Sequence, residues 1–479
     1  MGKTAISRSI ASTLQSEGTL AASFFWDKNQ RGIGLGSILL FPSTLAHQLA
    51  DFNEDFKMSL VKRLRKSSLA LPQNLPPETQ MKALIVEPMN DLRDILSPSE
   101  GRFVIVLDGL DECGDAMSLK ELMKLVLMLD ALPPCFAVLI SCRPEQQVIS
   151  TWSDAEAHGC RIPHEDVDRI DKDEKFRTIS LMVDDGLKDV IRKSNWKPTP
   201  EDLHKFTHGC RQLPVMASIR IRDVCIQVEH GSSLRSEFEY FRDLENAPDD
   251  INQEYLRILR RAYITDSSGI RPHVAKNYHY IVGTIVAAQH PLSVCSMSQL
   301  LQIDEDEVHE TLRPIGSIVD LSSDNTESVK FFHATAKEFI LGKPAGNESD
   351  RIFFISDANG YFLGLRLLRL VNDVIKRNEL NFPTDLPLGD KKKWKTVRTE
   401  WPEHVEYAFT YLFAHLDPSQ LLPQQPNELQ NEFNCFLSQS LLSFVAFISL
   451  RGTLWVGNLD EIPSELCVSL NPLYSVHFD

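Results

Sequence analysis

The segment RFVIVLDGLDEC, residues 102–113, decides how the fold of this chain is interpreted. Residues 103–107 are five consecutive apolar residues, four of them β-branched or aromatic, which is typical of a strand buried on both faces of a parallel sheet. Asp108, Asp111 and Glu112 follow. Because open α/β sheets bind ligands at the carboxyl ends of their strands, the segment predicts a strand that ends in ligand-binding carboxylates.

The beginning of the sequence supplies a second part of such a site. Gly2, Lys3 and Thr4 form the second half of the phosphate-binding loop G-x-x-x-x-G-K-[ST], in which backbone N–H groups hold phosphates. Apolar residues at every fourth position then predict a helix over residues 4–14, and TLAASFFWD, residues 19–27, predicts a buried strand. The order is therefore phosphate loop, helix and strand.

A third part follows the acidic segment. The pattern predicts a helix over about residues 116–131 and another strand in FAVLISCRPE, residues 136–145, which carries Arg143 near its end. Strands that alternate with helices indicate a parallel sheet covered by helices on both faces. We therefore expect the carboxyl ends of these strands to bring Lys3, Asp108 and Arg143 together.

These residue types have the chemistry of an Mg²⁺-nucleotide site. A carboxylate after an apolar strand, here Asp108, holds Mg²⁺ directly or through water while the metal bridges the outer phosphates. Thr4 is expected to supply a hydroxyl ligand to the metal, and Lys3 a positive charge for the phosphates. Backbone N–H groups around Gly2 are expected to complete the phosphate site. The expected cofactors are ATP or ADP with Mg²⁺.

Two further groups at the strand ends suit hydrolysis. A second acid just beyond the strand, Asp111 or Glu112, is able to orient or deprotonate the attacking water. Arg143 is able to contact the γ-phosphate through charge-assisted hydrogen bonds. Alone, LDGLDE is equally well explained as a strand followed by an acidic turn; its combination with Gly-Lys-Thr and Arg143 favours the functional interpretation.

Composition limits the partners and the location. The 479 residues are 43% hydrophobic and 24% charged, as in a soluble globular protein, and are enough for about two to four domains. A net charge of −16 argues against nucleic acid and anionic membranes as partners. Nine cysteines are scattered without metal-binding spacing, and no apolar leader opens the sequence. We expect a cytoplasmic protein.

Three stretches invite other interpretations. FNCFLSQSLLSFVAFISL, residues 433–450, has the length of a short membrane span, but its polar residues favour a buried helix. The glycines of residues 28–41 lack a preceding strand and fit no dinucleotide fingerprint, which favours a surface loop. KKKWKTVR, residues 391–398, is interpreted as a solvated loop because the protein as a whole is acidic.

GKTAISRSIA, FVIVLDGLDEC and VLISCRPE resemble the P-loop, Walker B and sensor segments of NACHT-type NTPases, specifically the fungal group with nephrocystin-like N-terminal regions. The resemblance extends to about residue 345. It implies an α/β P-loop NTPase fold, a parallel sheet flanked by helices, and then a helical domain, a winged helix and a C-terminal helical region. It also implies a signalling switch that holds ADP when closed, exchanges it for ATP, and self-associates through the NACHT domain.

The resemblance predicts domains at residues 1–165 (NACHT), 166–272 (helical), 273–345 (winged helix) and 346–479 (C-terminal helical region). It also suggests two more nucleotide contacts. Pro214 is expected to pack against adenine, although it also suits a simple helix start. His333 matches the histidine that contacts the β-phosphate of ADP in the family, although a histidine between a strand and a helix is often structural.

The chain departs from the family where it begins. The family has a strand and G-x-x-x-x before Gly-Lys-Thr, so we expect the first strand of the sheet and much of the phosphate loop to be missing. Each lost N–H donor to a phosphate weakens binding by about 1.5–3 kcal/mol. Two functions therefore remain: an ATP/ADP-dependent switch with slow hydrolysis and unidentified protein partners, or a degenerate, non-hydrolysing interaction module.

Overall fold

The structure is a computed structural model. It describes residues 2–27, 38–65, 75–93, 102–114, 116–159, 163–166, 169–243, 250–264, 269–356, 358–379, 381, 401–421 and 427–445. Two compact units divide the chain, residues 1–218 and residues 219–479. Residues 28–37 of the expected loop at residues 28–41, and all of residues 391–398, lie outside the described residues.

A parallel sheet forms the start of the first unit. Its strands β1 (Leu20–Phe25), β2 (Phe103–Asp108) and β3 (Phe136–Ser141) lie side by side in that order. Both pairings are parallel, and the register places Phe25, Asp108 and Ser141 in one row at the carboxyl ends. The prediction of an α/β region at the start of the chain is confirmed, with each strand within two residues of its expected beginning.

Helices make up most of the other described residues of the first unit. The helices of its described residues are α1 (Lys3–Ser16), α2 (Phe41–Phe52), α3 (Glu54–Leu64), α4 (Pro77–Met81), α5 (Glu87–Asn90), α6 (Ala116–Leu127), α7 (Gln146–Ala157), α8 (Lys172–Lys193) and α9 (Pro200–Gly209). Helix α10 (Pro214–Glu229) contains the division between the units. A π-helical turn, Lys82–Val86, joins α4 to α5.

The two faces of the sheet pack against different helices. Ile105 and Leu107 of β2 are fully buried in the main core, together with residues of α2 and α6. Helix α1 packs on the other face, where it contacts all three strands and places Arg8 over the ring of Phe25. Since side chains alternate along a strand, Asp108 points to the α1 face, opposite to Leu107.

Among its described residues, the second unit is mainly helical and contains one short antiparallel pair of strands. Its described helices are α11 (Leu234–Asp243), α12 (Ile251–Tyr263), α13 (Pro272–Ala287), α14 (Val294–Leu301), α15 (Glu305–Leu312), α16 (Ala334–Leu341), α17 (Ala358–Lys376), α18 (Glu403–Tyr411), α19 (Pro418–Leu421) and α20 (Glu428–Cys435). The strands β4 (Val319–Asp320) and β5 (Lys330–Phe331) pair between α15 and α16. A helical region therefore follows the α/β start, as predicted.

The stretch suspected of crossing a membrane is helical as far as it is described. Helix α20 continues through a π-helical turn, Phe436–Ser440, to residue 445, and Phe436 and Phe444 are buried. Among the described residues, no helix has the length and apolar character that a membrane crossing requires.

Buried charges join the helices α10 and α12. Glu254, fully buried on α12, accepts hydrogen bonds from Arg220 of α10 at 2.9 Å and from Arg257 at 2.7 Å. Arg257 also pairs with Asp223 at 3.0 Å. Burial opposes ionisation of Glu254, but the two arginines outweigh it and hold the pKa of this carboxyl below its usual value. The ionised network is therefore part of the folded state.

Glu254→Gln should lower the free energy of unfolding by about 3–5 kcal/mol, because it leaves buried guanidinium groups without their counter-charge. Glu201→Gln, which removes an exposed pair with Lys205, is the control and should cost at most about 0.5 kcal/mol. Urea unfolding followed by circular dichroism measures both.

The effect of Glu254→Gln should also depend on pH. Since the folded-state pKa of Glu254 is lowered, its contribution is present above the ordinary glutamate value of about 4.3 and is lost as the pH falls below it. Equal destabilisation by the two variants at neutral pH would show that the buried network does not stabilise the unit.

Candidate functional site

The candidate site lies where the carboxyl ends of the three strands meet the start of α1. Thr19, just after α1, accepts a hydrogen bond from the N–H of Val104 at the beginning of β2, so α1 runs antiparallel to the strands. Its 14 residues span about 21 Å, and the six residues of β2 span about 20 Å. The amino terminus of α1, with Gly2 and Lys3, therefore lies near the carboxyl end of the sheet.

Asp108 is the unusual residue of this site. Its side chain is 1% exposed, and neither carboxylate oxygen has a hydrogen-bond partner among the described residues. The hydroxyl of Ser141, its neighbour in the register, is also buried without a partner. A buried carboxylate is costly unless a cation or a hydrogen-bond donor reaches it. The two side chains point to the α1 face and together offer oxygen atoms of the kind Mg²⁺ prefers.

A tight turn holds the acids that follow β2. Gly109 has φ +74°, and a Cβ on it would lie 3.0 Å from the carbonyl oxygen of Trp26, so this position requires glycine. The carbonyl of Asp108 in turn accepts a hydrogen bond from the N–H of Trp26 at 2.9 Å. A short 3₁₀ turn, Leu110–Glu112, follows and carries two more acids, Asp111 and Glu112.

Asp111 is bound to Arg143. One carboxylate oxygen accepts a hydrogen bond from the backbone N–H of Arg143 at 2.8 Å, and the other lies 3.2 Å from its Nε. The side chain of Asp111 is only 3% exposed. With both oxygens engaged, Asp111 is suited to holding Arg143 in place. Glu112, the next residue, is half-buried.

Gly2 and Pro214 lie side by side. Gly2 has φ +90° and begins α1 without a side-chain cap. A Cβ on Gly2 would lie 3.9 Å from Cγ of Pro214, which is ordinary van der Waals contact. Lys3 is half-buried and Thr4 is exposed on the first turn. The first unit therefore brings Pro214 next to the Gly-Lys-Thr segment, although more than 200 residues separate them.

The charges of the site act on one nearby thiol. Burial raises the pKa of Cys142, directly after β3, to about 12. The charge of Asp111 raises it further, that of Lys3 lowers it, and that of Asp108 raises it. Lys3, Asp108 and Asp111 are therefore all close enough to Cys142 to influence its thiol.

Residues 1–143 match the family model of the N-terminal region of nephrocystin 3. We call residues 1–143 the nephrocystin-like segment. It contains β1, β2 and β3 and ends at Arg143, so the match includes every strand of the sheet and all of the acids at its edge. No curated protein matches the chain.

The nephrocystin-like segment is suited to Mg²⁺ only where most ligands of the metal come from nucleotide phosphates and water. Among the described residues, no group of three His, Cys, Asp or Glu side chains could hold a metal ion. A nucleotide-bound Mg²⁺ needs few protein ligands, because phosphates and waters complete its octahedral shell. The unpartnered carboxylate of Asp108 suits that arrangement.

One residue of the site escaped the sequence interpretation. Ser141 stands one residue before Cys142 in an apolar strand, where a serine suggests nothing more than the end of a strand. Its pairing with Asp108 follows only from the parallel register. The only signal in the sequence that could have identified Ser141 is the polar last residue that it shares with the neighbouring strand.

His333 lies in the second unit, whereas Lys3 and Asp108 lie in the first. Its side chain is exposed and accepts a hydrogen bond from the N–H of Thr335, so that it caps the amino end of α16. The histidine is therefore not packed in a core. Its predicted contact with nucleotide stays a prediction.

Two acids of the nephrocystin-like segment should respond oppositely to loss of their charge. In EDTA and without nucleotide, Asp108→Asn should raise the free energy of unfolding by about 1–3 kcal/mol, since it removes an unpaired buried charge. Asp111→Asn should lower it by about 1.5–3 kcal/mol, because it weakens the pair with Arg143. Thermal unfolding of both variants measures this difference in sign, and destabilisation by Asp108→Asn would contradict the unpaired state of Asp108.

Proposed function

We propose that this protein is an ATP/ADP-dependent signalling switch of the NACHT type, in which Mg²⁺-nucleotide binds at the carboxyl ends of β1, β2 and β3. The observation that carries the proposal is the buried carboxylate of Asp108, which has no partner among the described residues. A fold retains such a costly group where a ligand completes it. The family model of the nephrocystin 3 N-terminal region matches the segment that contains Asp108, and this match supports the proposal.

The binding step assigns a role to each residue around α1. Asp108 and Thr4 would hold Mg²⁺, which would neutralise charge at the phosphates. Lys3 contributes a positive charge at the same end of the sheet. The amino terminus of α1 directs backbone N–H groups towards an anion, and Pro214, beside Gly2, packs against the base.

The hydrolytic step uses the turn after β2. Glu112 orients or deprotonates the attacking water, and Arg143 stabilises charge on the γ-phosphate. Asp111 holds Arg143 through both of its oxygens, so it acts on the nucleotide through Arg143. Removal of Glu112 should therefore reduce turnover with little effect on binding.

The switch itself involves the second unit. Helices α13 to α16, with the antiparallel pair β4 and β5 before α16, have the order of elements of a winged helix. We assign His333 to the β-phosphate of ADP in the closed state. Exchange for ATP opens the molecule and permits self-association, in a fungal NACHT protein with a cytoplasmic location.

A non-hydrolysing interaction module is the second candidate. The exposure of Thr4 favours it, because the expected hydroxyl ligand of Mg²⁺ is open to solvent while Asp108 is buried. This candidate keeps the fold and its partner surface without binding nucleotide. Nucleotide affinity and its dependence on Mg²⁺ distinguish the two functions.

Asp108→Ala should weaken Mg²⁺-dependent binding of ADP at least about tenfold, because it removes the charge that organises the metal. Glu112→Gln should leave the affinity for ADP within about twofold and lower ATP hydrolysis by about 10²–10⁴-fold. Asp154→Asn, an exposed acid on α7, is the control.

Titration of a fluorescent ADP analogue with Mg²⁺ and with EDTA, followed by phosphate release from ATP, measures these effects. Affinity that does not depend on Mg²⁺ or on Asp108 would contradict the proposed metal site. Absence of any nucleotide binding would favour the interaction module. Loss of turnover in Asp111→Asn but not in Glu112→Gln would assign the base to Asp111.

A further inference from the structure

Two buried polar side chains lie next to each other on one face of the sheet. Both carboxylate oxygens of Asp108 and the hydroxyl oxygen of Ser141 are buried, and none of the three has a hydrogen-bond partner among the described residues. Asp108 and Ser141 end β2 and β3 and are paired in register, so their side chains point to the same face from strands about 4.8 Å apart. Three unsatisfied oxygen atoms therefore share one small region of the first unit.

Helix α1 covers this face without pairing with the carboxylate. Its buried residues, Ser7 and Ala11, are uncharged. Lys3, half-buried one turn before Ser7, makes no hydrogen bond to Asp108. Ser141 does not donate its proton to Asp108 either, although the two residues are neighbours in the register. The lone pairs of all three oxygens are therefore left for a group other than these side chains.

A cation satisfies these oxygens better than a water molecule does. A buried water needs two to four polar partners, and it could bridge the hydroxyl and the carboxylate, but it would leave the negative charge of Asp108 uncompensated. A divalent cation compensates that charge and accepts lone pairs from both side chains. Carboxylate and serine hydroxyl oxygens are ligands that Mg²⁺ uses in proteins. The chemistry of the pair therefore favours a hard divalent cation.

We propose that Ser141 is a further ligand of the divalent cation at Asp108, one that lies outside the Gly-Lys-Thr and acidic motifs. That this cation is nucleotide-bound Mg²⁺ rests on the proposed function; the pairing of the two side chains does not. The exposed hydroxyl of Thr4 counts against a metal site built from the phosphate loop alone. It does not affect a ligand that the sheet itself supplies.

Exchange of serine for cysteine, combined with exchange of the metal, tests this ligand. Ser141→Cys replaces the hydroxyl by a thiol of similar shape, which Mg²⁺ binds poorly and the softer ion Cd²⁺ prefers. The affinity of the full chain for a fluorescent ADP analogue is measured with each metal. In Ser141→Cys the ratio of the affinity with Cd²⁺ to that with Mg²⁺ should rise at least about tenfold above the wild-type ratio. The wild-type chain contains the same nine other cysteines, so this comparison removes their effect.

Three further variants make the result specific. Ser141→Ala should weaken Mg²⁺-dependent binding of the ADP analogue about tenfold, and Cd²⁺ should not restore it. Ser150→Cys, an exposed serine of α7, is the matched control and should keep the wild-type ratio. Thr4→Cys tests the competing hydroxyl. Circular dichroism and thermal unfolding in EDTA establish that each variant is folded.

The outcomes separate the ligand from the proposed function. A changed metal preference in Ser141→Cys supports both. Mg²⁺-dependent binding of ADP that is the same in Ser141→Ala and the wild type, or a changed preference in Thr4→Cys but not in Ser141→Cys, overturns the role of Ser141 and leaves the proposed function standing.

If the chain binds no ADP, the proposed function is refuted and Mn²⁺ alone decides the fate of the ligand. Titration of the full chain with Mn²⁺, followed by electron paramagnetic resonance of the free ion, then measures the metal site without nucleotide. Binding that falls about tenfold in both Asp108→Asn and Ser141→Ala supports the pair as a cation site in its own right. Binding that is absent, or equal in both variants and the wild type, overturns it.

Discussion

Parallel pairing of three strands determines where the polar residues of the nephrocystin-like segment meet. In a parallel sheet all carboxyl ends lie at one edge, so Asp108 and Ser141 become neighbours although 32 residues lie between them in the sequence. Helix α1 precedes β1 and runs antiparallel to the strands, so Lys3, at the amino end of α1, lies near the same edge. A site that collects charge from three distant parts of the chain is therefore a consequence of the topology.

The two acids on either side of Gly109 show how differently the same fold treats a carboxylate. Asp111 is buried and fully engaged by Arg143, whereas Asp108 is buried and unpartnered within the described residues. The first arrangement contributes to stability, and the second lowers it. A residue that lowers stability inside an otherwise well-packed sheet is typical of sites where function and folding favour different side chains.

Local patterns predicted much of this architecture. The apolar run before Asp108 and the alternation of strands and helices follow from burial and period, which a single sequence displays directly. The sequence also led us to expect Lys3, Asp108 and Arg143 at one edge. It did not reveal the pairing of Asp111 with Arg143, the position of Ser141 beside Asp108, or the contact of Tyr255 with Thr335. Each of these depends on register or packing between residues far apart in the chain, and such contacts leave no periodic signal.

The buried charges of the whole molecule sharpen the case for Asp108. Asp111 is paired within the first unit, and in the second unit every buried charged side chain among the described residues has an ionic partner: Arg220, Asp223, Glu237, Glu254, Arg257 and Asp350. A sequence that pairs these groups so consistently does not leave a charge unpaired through poor packing. Asp108 is the exception among them: its buried carboxylate has no hydrogen-bond partner among the described residues, and it lies at the end of β2 on the face of the sheet that α1 covers.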